Sequence, residues 1–175
     1  MKYISIQEAI KKGKGKVSIR GWVYRERGSN KIKFITLRDS TNIIQCVLDR
    51  TNFEKRWDEI DGVRIEASME LTGDLKKDER APTGYEIQVT DYKVVGESDN
   101  FPIGKDFSKE FLLDNRHLWL RSRKMVAIMK IRSTVFGAIH EYFRNLEYHE
   151  FQSPIIIPGG AEEGPTLFEI KYYKF

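Results

Sequence analysis

The stretch of residues 20–47 reads RGWVYRERGSNKIKFITLRDSTNIIQCV, and it decides the fold that we predict. It predicts three short strands, because polar turn residues interrupt it at 28–30 and again at 39–42. A small barrel that displays cations and rings on one face suits single-stranded nucleic acid, since cations follow phosphates and rings stack on unpaired bases. An ordinary meander with a solvated basic face is the alternative interpretation. The cations and rings of the first two strands are Arg20, Trp22, Tyr24, Arg25, Arg27, Lys31, Lys33, Phe34 and Arg38.

The elements on either side of this stretch predict a five-stranded barrel. Ser5 and Glu8 have the spacing of a helix capping box, and Gly13 stands where a helix C-terminus often has glycine. Three strands, a helix and two further strands make up the element order of the OB-fold, a barrel that often binds oligonucleotides. The later elements are a helix over 52–60, a fourth strand over 63–71, a charged loop over 76–84 and a fifth strand over 85–95.

Alternation within the second and third strands separates an aliphatic face from a mixed one. Ile35 and Leu37 share one face of the second strand, which leaves Phe34 on the other. In the third strand Ile44, Cys46 and Leu48 share one face, which leaves Gln45 on the other. If the aliphatic face lines the barrel, Phe34 and Gln45 both face outward, where a residue that reads a base must lie. A ring in the core is the alternative for Phe34.

The net charge of +4 conceals a separation of charge along the 175 residues. Residues 1–38 hold eleven Lys or Arg against two Glu, whereas residues 39–100 hold eight basic side chains against fifteen acidic ones. A cationic first region suits a polyanionic partner and predicts salt-dependent binding, although a solvated face has the same composition.

The sequence lacks the features that are typical of several classes of protein. No run approaches the roughly 18 apolar residues that cross a bilayer, and the N-terminus has no signal-peptide core. We therefore expect a cytoplasmic protein without a membrane partner. Neither a P-loop nor an HExxH motif occurs, and His117, His140 and His149 do not have the spacing of metal ligands.

The character of the sequence changes after residue 95. Gly, Ser, Asn and Pro interrupt residues 96–109, which predicts a linker. Residues 122–146 carry apolar side chains at spacings of three, four and seven, which predicts an amphipathic helix of about six or seven turns. A short strand flanked by Pro154 and Pro158 follows, and such a strand belongs at an edge or an interface. The predicted fold class is β-rich α+β.

Three motifs occur in order along the chain. The first is GWV at 21–23 with FITLRD at 34–39 and IQ at 44–45, the second is LDNRHLWLR at 113–121, and the third is the long helix that runs into FQSP at 151–154. In these motifs the chain resembles the class II aminoacyl-tRNA synthetases of the aspartate, asparagine and lysine subgroup, and within it the asparagine enzymes of the archaeal type. The resemblance implies an OB-fold anticodon-binding domain at 1–95, a hinge at 96–121, and the first helix and strand of the catalytic domain at 122–175.

The resemblance implies roles for three barrel residues. In this subgroup a barrel phenylalanine stacks on the central uridine of the anticodon, a glutamine eleven residues on hydrogen-bonds that base, and an arginine about seven residues earlier supports the contact. Phe34, Gln45 and Arg27 occupy these spacings. A ring, an amide and a guanidinium can stack on a splayed base, read its edge and neutralise its phosphate, respectively.

The resemblance also implies roles for two residues near the end of the chain. Pro154 matches the signature proline of motif 1, a helix and strand that form the class II dimer interface, so the complete protein is expected to be a homodimer. Glu162 lies in GAEEG at 160–164, which is similar to the mobile loop whose glutamate approaches the amino group of the bound amino acid. Glu163 is the alternative for that role.

The catalytic residues of the class are not found in this sequence. The class binds ATP and Mg²⁺ through motifs 2 and 3, and the 175 residues contain neither motif. We therefore expect ATP-dependent attachment of asparagine to tRNA for the complete protein, and neither a bound cofactor nor aminoacylation for this chain alone. Two alternatives remain. One is an aspartate enzyme of the same subgroup, and the other is a non-catalytic OB-fold module that binds tRNA or single strands.

Overall fold

A computed structural model describes residues 2–104, 108–155, 171 and 173. The chain divides into two compact units, Met1–Phe111 and Leu112–Phe175. Its elements are, in chain order, α1 (Ile6–Lys12), β1 (Gly15–Gly28), β2 (Ile32–Arg38), β3 (Ile43–Asp49), two 3-10 turns (Arg50–Asn52 and Glu54–Arg56), α2 (Trp57–Asp61), β4 (Ser68–Lys77), β5 (Tyr85–Gly96), α3 (Lys109–Asp114), α4 (Arg116–Trp119) and α5 (Arg123–Asn145).

The five strands of the first unit close into a barrel in the order β1-β2-β3-β5-β4. The contact between β3 and β5 is parallel, whereas the other four contacts around the ring are antiparallel. Because α2 lies between the third and fourth strands along the chain, the element order is that of the OB-fold. The predicted five-stranded barrel is confirmed.

Alternate residues of the strands fill the barrel. Ile35 and Leu37 in β2 and Ile44 in β3 are fully buried, so the aliphatic faces predicted for these strands are confirmed. Gly21 lies where β1 approaches β2, and a Cβ atom there would stand 2.3 Å from the carbonyl oxygen of Arg38. Any other residue at this position would push the two strands apart.

The α1 helix is capped at both ends by the predicted residues. The Ser5 hydroxyl accepts a hydrogen bond from the Glu8 N–H at 3.2 Å, and the Glu8 carboxylate accepts one from the Ser5 N–H at 2.7 Å. Gly13 follows the last turn with a φ of +75°, a left-handed conformation that glycine adopts at little cost. Ile6 and Ala9 pack into the barrel core, so the helix covers part of it.

Asp39 joins the turn between β2 and β3 to the start of α1. One carboxylate oxygen accepts a hydrogen bond from the Ile6 N–H at 2.7 Å. The other accepts from the Thr41 N–H, the Thr41 hydroxyl and the Asn42 N–H at 2.7, 2.6 and 2.9 Å. Burial raises the pKa of Asp39, but these hydrogen bonds outweigh burial, and the pKa lies below its ordinary value.

We expect Asp39 to make folding sensitive to acid. Because its pKa is lower in the folded chain, it contributes stability that is complete above the unfolded value of about 3.9 and is lost as the pH falls through the folded pKa. Asp39→Asn should lower the free energy of unfolding at neutral pH by about 1 kcal/mol, since the site is partly solvated. It should also flatten the loss of stability below about pH 4. Urea unfolding of both proteins at neutral and acidic pH measures this, and parallel pH profiles contradict it.

The segment between β3 and β4 differs from the single helix predicted over 52–60. It makes two 3-10 turns, and α2 begins only at Trp57. The Asp49 carboxylate accepts a hydrogen bond from the Thr51 N–H at 2.9 Å, which stabilises the tight first turn, and Phe53 leaves the helical region with a φ of −133°. The apolar spacing nevertheless predicted burial correctly, because Phe53, Trp57 and Ile60 lie in the barrel core.

The strand β4 begins at Ser68, not at residue 63 as predicted, and it extends to Lys77. The backbone at Glu66 has a φ of +71°, which no regular strand contains. Val63 and Ala67 are nevertheless buried, and this burial explains the alternation that suggested a strand there. The charged loop predicted from residue 76 accordingly starts after Lys77.

The described residues after the barrel are mainly helical. α3 and α4 occur within the region predicted as a hinge, and α5 confirms the long helix predicted over 122–146. The Ser122 hydroxyl caps α5 by accepting a hydrogen bond from the Met125 N–H at 3.3 Å. Apolar side chains of α5 such as Phe136 and Ile139 are about half exposed, at 51% and 49%. Among the helices of the described residues, none is both long enough and apolar enough to span a bilayer.

The strand predicted around Pro154 is not formed in residues 151–155, which have no regular structure. Phe151 and Ile155 are exposed there. A strand needs a partner for its backbone groups, and the described part of the second unit contains no other strand. Residues 156–158, the rest of this prediction, lie outside the described residues.

Candidate nucleic-acid interface

The outer face of the barrel brings three of the predicted site residues together. Arg27 on β1 stands opposite Phe34 on β2, and Thr36 on β2 stands opposite Gln45 on β3. The parallel contact between β3 and β5 then places Glu86 beside Gln45. Because residues two apart on a strand share a face, the side chains of Phe34 and Gln45 lie on one continuous surface.

The Phe34 ring belongs to the outer face and not to the barrel core. Phe34 is half-buried, whereas Lys33 and Ile35 on either side of it are buried. The guanidinium carbon of Arg27 lies 5.0 Å from the centre of the Phe34 ring, which is a cation–π contact. A guanidinium therefore already lies over this ring, so a flat base can occupy the same position if the exposed Arg27 side chain moves aside.

Gln45 faces outward as predicted, but it is only 6% exposed. Its Oε1 accepts a hydrogen bond from Arg27 Nη2 at 3.3 Å, and its Nε2 donates one to Glu86 Oε2 at 3.0 Å. The second Glu86 oxygen accepts a hydrogen bond from Gln88 Nε2 at 2.7 Å. The four polar side chains form one network, and neighbours on β1 and β5 cover the amide.

Glu86, like Gln88, is a member of this network that the sequence analysis missed. It is 9% exposed, and it meets Gln45 only because the barrel closes β5 against β3. The alternation of Glu86 with the buried Ile87 indicates an outward direction on β5. The sequence does not indicate which residue of β3 lies beside Glu86, so the contact could not be predicted.

A second group of rings and cations lies on the same two strands. The ring of Tyr24 has the guanidinium carbons of Arg25 and Arg38 at 5.4 and 5.5 Å from its centre. Arg38 also donates two hydrogen bonds to the Glu66 carboxylate, both at 2.9 Å, and both side chains are 13% exposed. Arg38 is therefore a fixed support for the ring, and Arg25 is the more accessible cation of the pair.

Lys33 is not the surface cation that the sequence suggested. It is 5% exposed, and its Nζ donates a hydrogen bond to the carbonyl oxygen of Asp61 at 2.7 Å. The carboxylates of Glu26 and Asp61 lie 3.4 and 3.7 Å from the same atom. Lys33 shares the inward face of β2 with Ile35, and its charge meets the C-terminus of α2, where a cation is favoured.

The other two predicted site residues belong to the second unit. Pro154 lies in exposed, irregular chain, and Glu162 lies outside the described residues. Across residues 2–104 and 108–155, no group of three or more His, Cys, Asp or Glu side chains could hold a metal ion.

Two family models match the chain. The model of the tRNA anticodon OB-fold nucleic acid binding domain matches residues 17–95, and the model of the class II tRNA synthetases for D, K and N matches residues 108–175. The chain belongs to the class II tRNA synthetases of this group. The first match in this synthetase chain covers nearly the whole barrel, and the second begins just before α3.

Individual proteins that are similar to this chain belong to the same family. The synthetase chain is 46% identical over 159 residues to asparagine–tRNA ligase from Thermoplasma acidophilum and 45% identical over 158 residues to that from Thermococcus kodakarensis. Each match covers 90% of this chain and 37% of the relative. The crystal structure of asparaginyl-tRNA synthetase from Pyrococcus horikoshii, complexed with asparaginyl-adenylate, matches with a TM-score of 0.83 and 35% identity over 99% of this chain and 41% of that one. The synthetase chain therefore spans less than half the length of these relatives.

Proposed function

We propose that this chain is the anticodon-binding domain and the opening catalytic segment of an asparagine–tRNA ligase, which uses ATP to attach asparagine to its tRNA. The observation that carries the proposal is the cluster of Phe34, Arg27 and Gln45 on the outer face of the barrel. It combines a ring, a cation and an amide, and the cation of Arg27 contacts both the ring and the amide. The identity of 45–46% with two asparagine–tRNA ligases supports the choice of amino acid.

In the proposed complex the tRNA partner binds through its anticodon loop. Phe34 stacks on the central base, Gln45 hydrogen-bonds the edge of that base, and Arg27 contacts the base or a neighbouring phosphate. A stacking platform beside a cation is the usual arrangement for single-stranded RNA. The excess of basic residues over 1–38 supports a polyanionic partner.

We expect the 175-residue chain to bind an RNA hairpin that carries the anticodon loop and to prefer uridine over cytidine at the central position. Gln45→Ala should reduce this preference more than it reduces affinity, because an amide reads a base edge and neutralises no charge. One good bidentate contact is worth about 1–3 kcal/mol of discrimination. Titration of both hairpins with both proteins measures the effect. Equal affinity of the wild-type chain for the two hairpins contradicts the proposal.

The amino acid is tested separately from the RNA. A protein that contains this chain together with motifs 2 and 3 can be assayed for exchange of pyrophosphate into ATP with asparagine or aspartate. Exchange with asparagine supports the proposed enzyme, exchange with aspartate identifies the related aspartate enzyme, and exchange with neither leaves a non-catalytic RNA-binding module. ATP and Mg²⁺ are the proposed cofactors of the complete enzyme.

The remaining proposals rest on the resemblance to the class. Glu162 is proposed to approach the amino group of bound asparagine, and the cytoplasm is the proposed location because translation uses charged tRNA there. The proposed division of the chain is 1–95, 96–121 and 122–175. The two separate family matches, at 17–95 and 108–175, support a division into two functional parts.

A homodimer is proposed for the complete enzyme, with α5 and the Pro154 segment at the interface. The support is the apolar surface that α5 exposes, since single proteins rarely leave a contiguous patch of this kind open to water. A second copy of the same helix could cover it through the motif 1 contact that the class uses. The most exposed apolar side chains of α5 are Ile131, Val135, Phe136 and Tyr142.

A further inference from the structure

We infer that the end of the barrel at which α1 turns into β1 binds phosphates of the RNA strand on one side of the base that Phe34 holds. The inference rests on the proposed function, because the ligand is the same RNA. It adds a second contact, which has no base preference of its own. The lysines that form this basic end are Lys11, Lys12, Lys14, Lys16 and Lys76.

Three elements meet at the basic end. A Cβ atom on Gly13, which follows α1, would lie 3.8 Å from the hydroxyl oxygen of the tyrosine with which β5 begins. Lys16 at the start of β1 stands opposite Asp74 on β4, and Lys76 lies two residues further along β4. The Nζ of Lys12 donates a hydrogen bond to the carbonyl oxygen of Lys16 at 3.0 Å, which keeps the cation of α1 beside β1.

The cations of the basic end are available to a ligand. All five side chains are exposed, and none of them forms an ion pair with a carboxylate of the described residues. Other cations of the first two strands are already engaged, since Lys33 and Arg38 form ion pairs and Arg27 contacts Gln45. A group of like charges without partners creates a positive potential that attracts a polyanion.

The basic end adjoins the surface that holds Phe34 and Gln45. Gln45 stands opposite Glu86 on β5, and Glu86 stands opposite Lys76 on β4. Because neighbouring strands are about 4.8 Å apart, Lys76 lies two strands, or about 10 Å, from Gln45. These three residues face outward, since a neighbour of each along its strand is buried in the core. An RNA strand that leaves the base at Phe34 in the direction of β4 therefore reaches the basic end.

Lysine side chains suit phosphates better than bases. An ammonium group only donates hydrogen bonds, and it acts as a compact charge on a flexible stem. Contacts with phosphates fix the position of a nucleic acid but carry no information on its sequence. We therefore expect the basic end to add affinity and salt dependence, while the choice of base stays with the residues around Gln45.

A double variant, Lys16→Gln with Lys76→Gln, tests the inference with the uridine hairpin as the probe. Neither side chain forms an ion pair in the described chain, so the barrel should stay folded. Each phosphate contact to a single strand contributes about 0.7 to the slope of log Kd against log salt, so the slope should fall by about 1.4. The increase in Kd should then be about seven times as large at about 50 mM salt as at about 200 mM. An unchanged slope overturns the inference.

The matched control is Lys55→Gln with Lys93→Gln, which also removes two exposed lysines. Lys55 lies in the 3-10 turn before α2, and Lys93 stands opposite Glu70, six residues before Lys76 on β4. That separation is about 20 Å along the strand. The control should keep the wild-type Kd and slope. Equal losses in the two double variants mean that net charge alone is responsible, and they overturn the inference.

Asp74→Asn provides a test that partial unfolding cannot imitate, because it should strengthen binding. Asp74 is exposed at the basic end, where its carboxylate repels a phosphate that approaches Lys16. Its removal should lower Kd for the uridine hairpin roughly threefold at low salt, the size typical of one exposed charge interaction. A Kd that stays the same or rises overturns the inference.

Neutral methylphosphonates in the hairpin loop identify the phosphates. Placed on the side of the central uridine that runs to the basic end, they should weaken binding of the wild type and leave the Kd of the lysine double variant almost unchanged. Placed on the other side, they should affect both proteins equally. If both sides affect both proteins equally, the basic end contacts no phosphate and the inference is overturned.

Base preference separates this inference from the proposed function. The ratio of Kd values for the cytidine and uridine hairpins should be the same in the wild type and in the lysine double variant. A ratio that falls to one in the double variant means that the lysines read the base, and it overturns the inference while the proposed function stands. A wild-type chain that binds both hairpins equally removes the proposed function.

Discussion

Replacement of Phe34 by alanine is expected to weaken binding of the anticodon hairpin by about 1–3 kcal/mol, the usual effect of removing one ring on which a base stacks. The barrel should stay folded. Phe34 is half-buried on the outer face, and its main partner there is the exposed Arg27 side chain. Loss of such a cross-strand contact costs up to about 1 kcal/mol of stability.

The measurement combines a melting curve with hairpin titrations at two salt concentrations. Stacking involves no phosphate, so Phe34→Ala should leave the dependence of Kd on salt unchanged while it raises Kd at both concentrations. Phe34→Tyr is the control, since it keeps the ring and should keep most of the affinity. A Phe34→Ala chain that binds as tightly as the wild type, or that loses about 3–5 kcal/mol of stability as a core residue would, contradicts the prediction.

The sequence was a good guide wherever a local pattern determined the structure. Ser5 and Glu8 are three residues apart, and the capping box they predict needs no information from the rest of the chain. The alternation in β2 and β3 likewise predicted which side of each strand would be buried, because strand geometry turns every second residue to the same face. Phe34 and Gln45 could be assigned to the outer face for this reason alone.

Local patterns could not predict contacts between residues that are far apart in the sequence. Gln45 was expected on an accessible surface, yet β5 covers it, because barrel closure joins residues that are 41 positions apart. Lys33 was grouped with the surface cations, although its position two residues before Ile35 already indicated that it faces inward. A buried lysine is tolerable there only because the end of α2 and two carboxylates meet its charge, and these partners come from separate parts of the chain.

Burial of alternate residues does not by itself show that a segment pairs as a strand. Residues 63–71 alternate as a strand does, but the first five precede β4, and of these five only Val63 and Ala67 are buried. The positive φ of Glu66 accompanies its ion pair with Arg38, which is a tertiary contact. An alternating pattern therefore predicted which of these side chains would be buried, and it could not predict where the ladder of backbone hydrogen bonds begins.

The largest effect on stability is expected at Ile35, the residue next to Phe34 on β2. Ile35 is fully buried in the barrel core, and its strand partner Cys46 is fully buried as well. Ile35→Ala removes buried methyl groups and leaves a cavity that a closed barrel can fill only in part. The free energy of unfolding should fall by about 2–5 kcal/mol. Ile35→Val should cost about 0.5–1.5 kcal/mol, in proportion to the smaller volume removed.

Phe34→Ala is thus expected to reduce RNA affinity and Ile35→Ala to reduce stability. Comparison of the two variants tests whether the outer face and the core face of β2 act independently. Once the titration is corrected for the folded fraction from urea unfolding, Ile35→Ala should bind the hairpin with wild-type affinity and an unchanged preference for uridine. The side chain points away from Arg27 and Gln45, so it can influence RNA only by moving the strand. A loss of affinity in the folded fraction would mean that the outer face depends on how the core is packed. The loss seen with Phe34→Ala could then no longer be attributed to stacking alone.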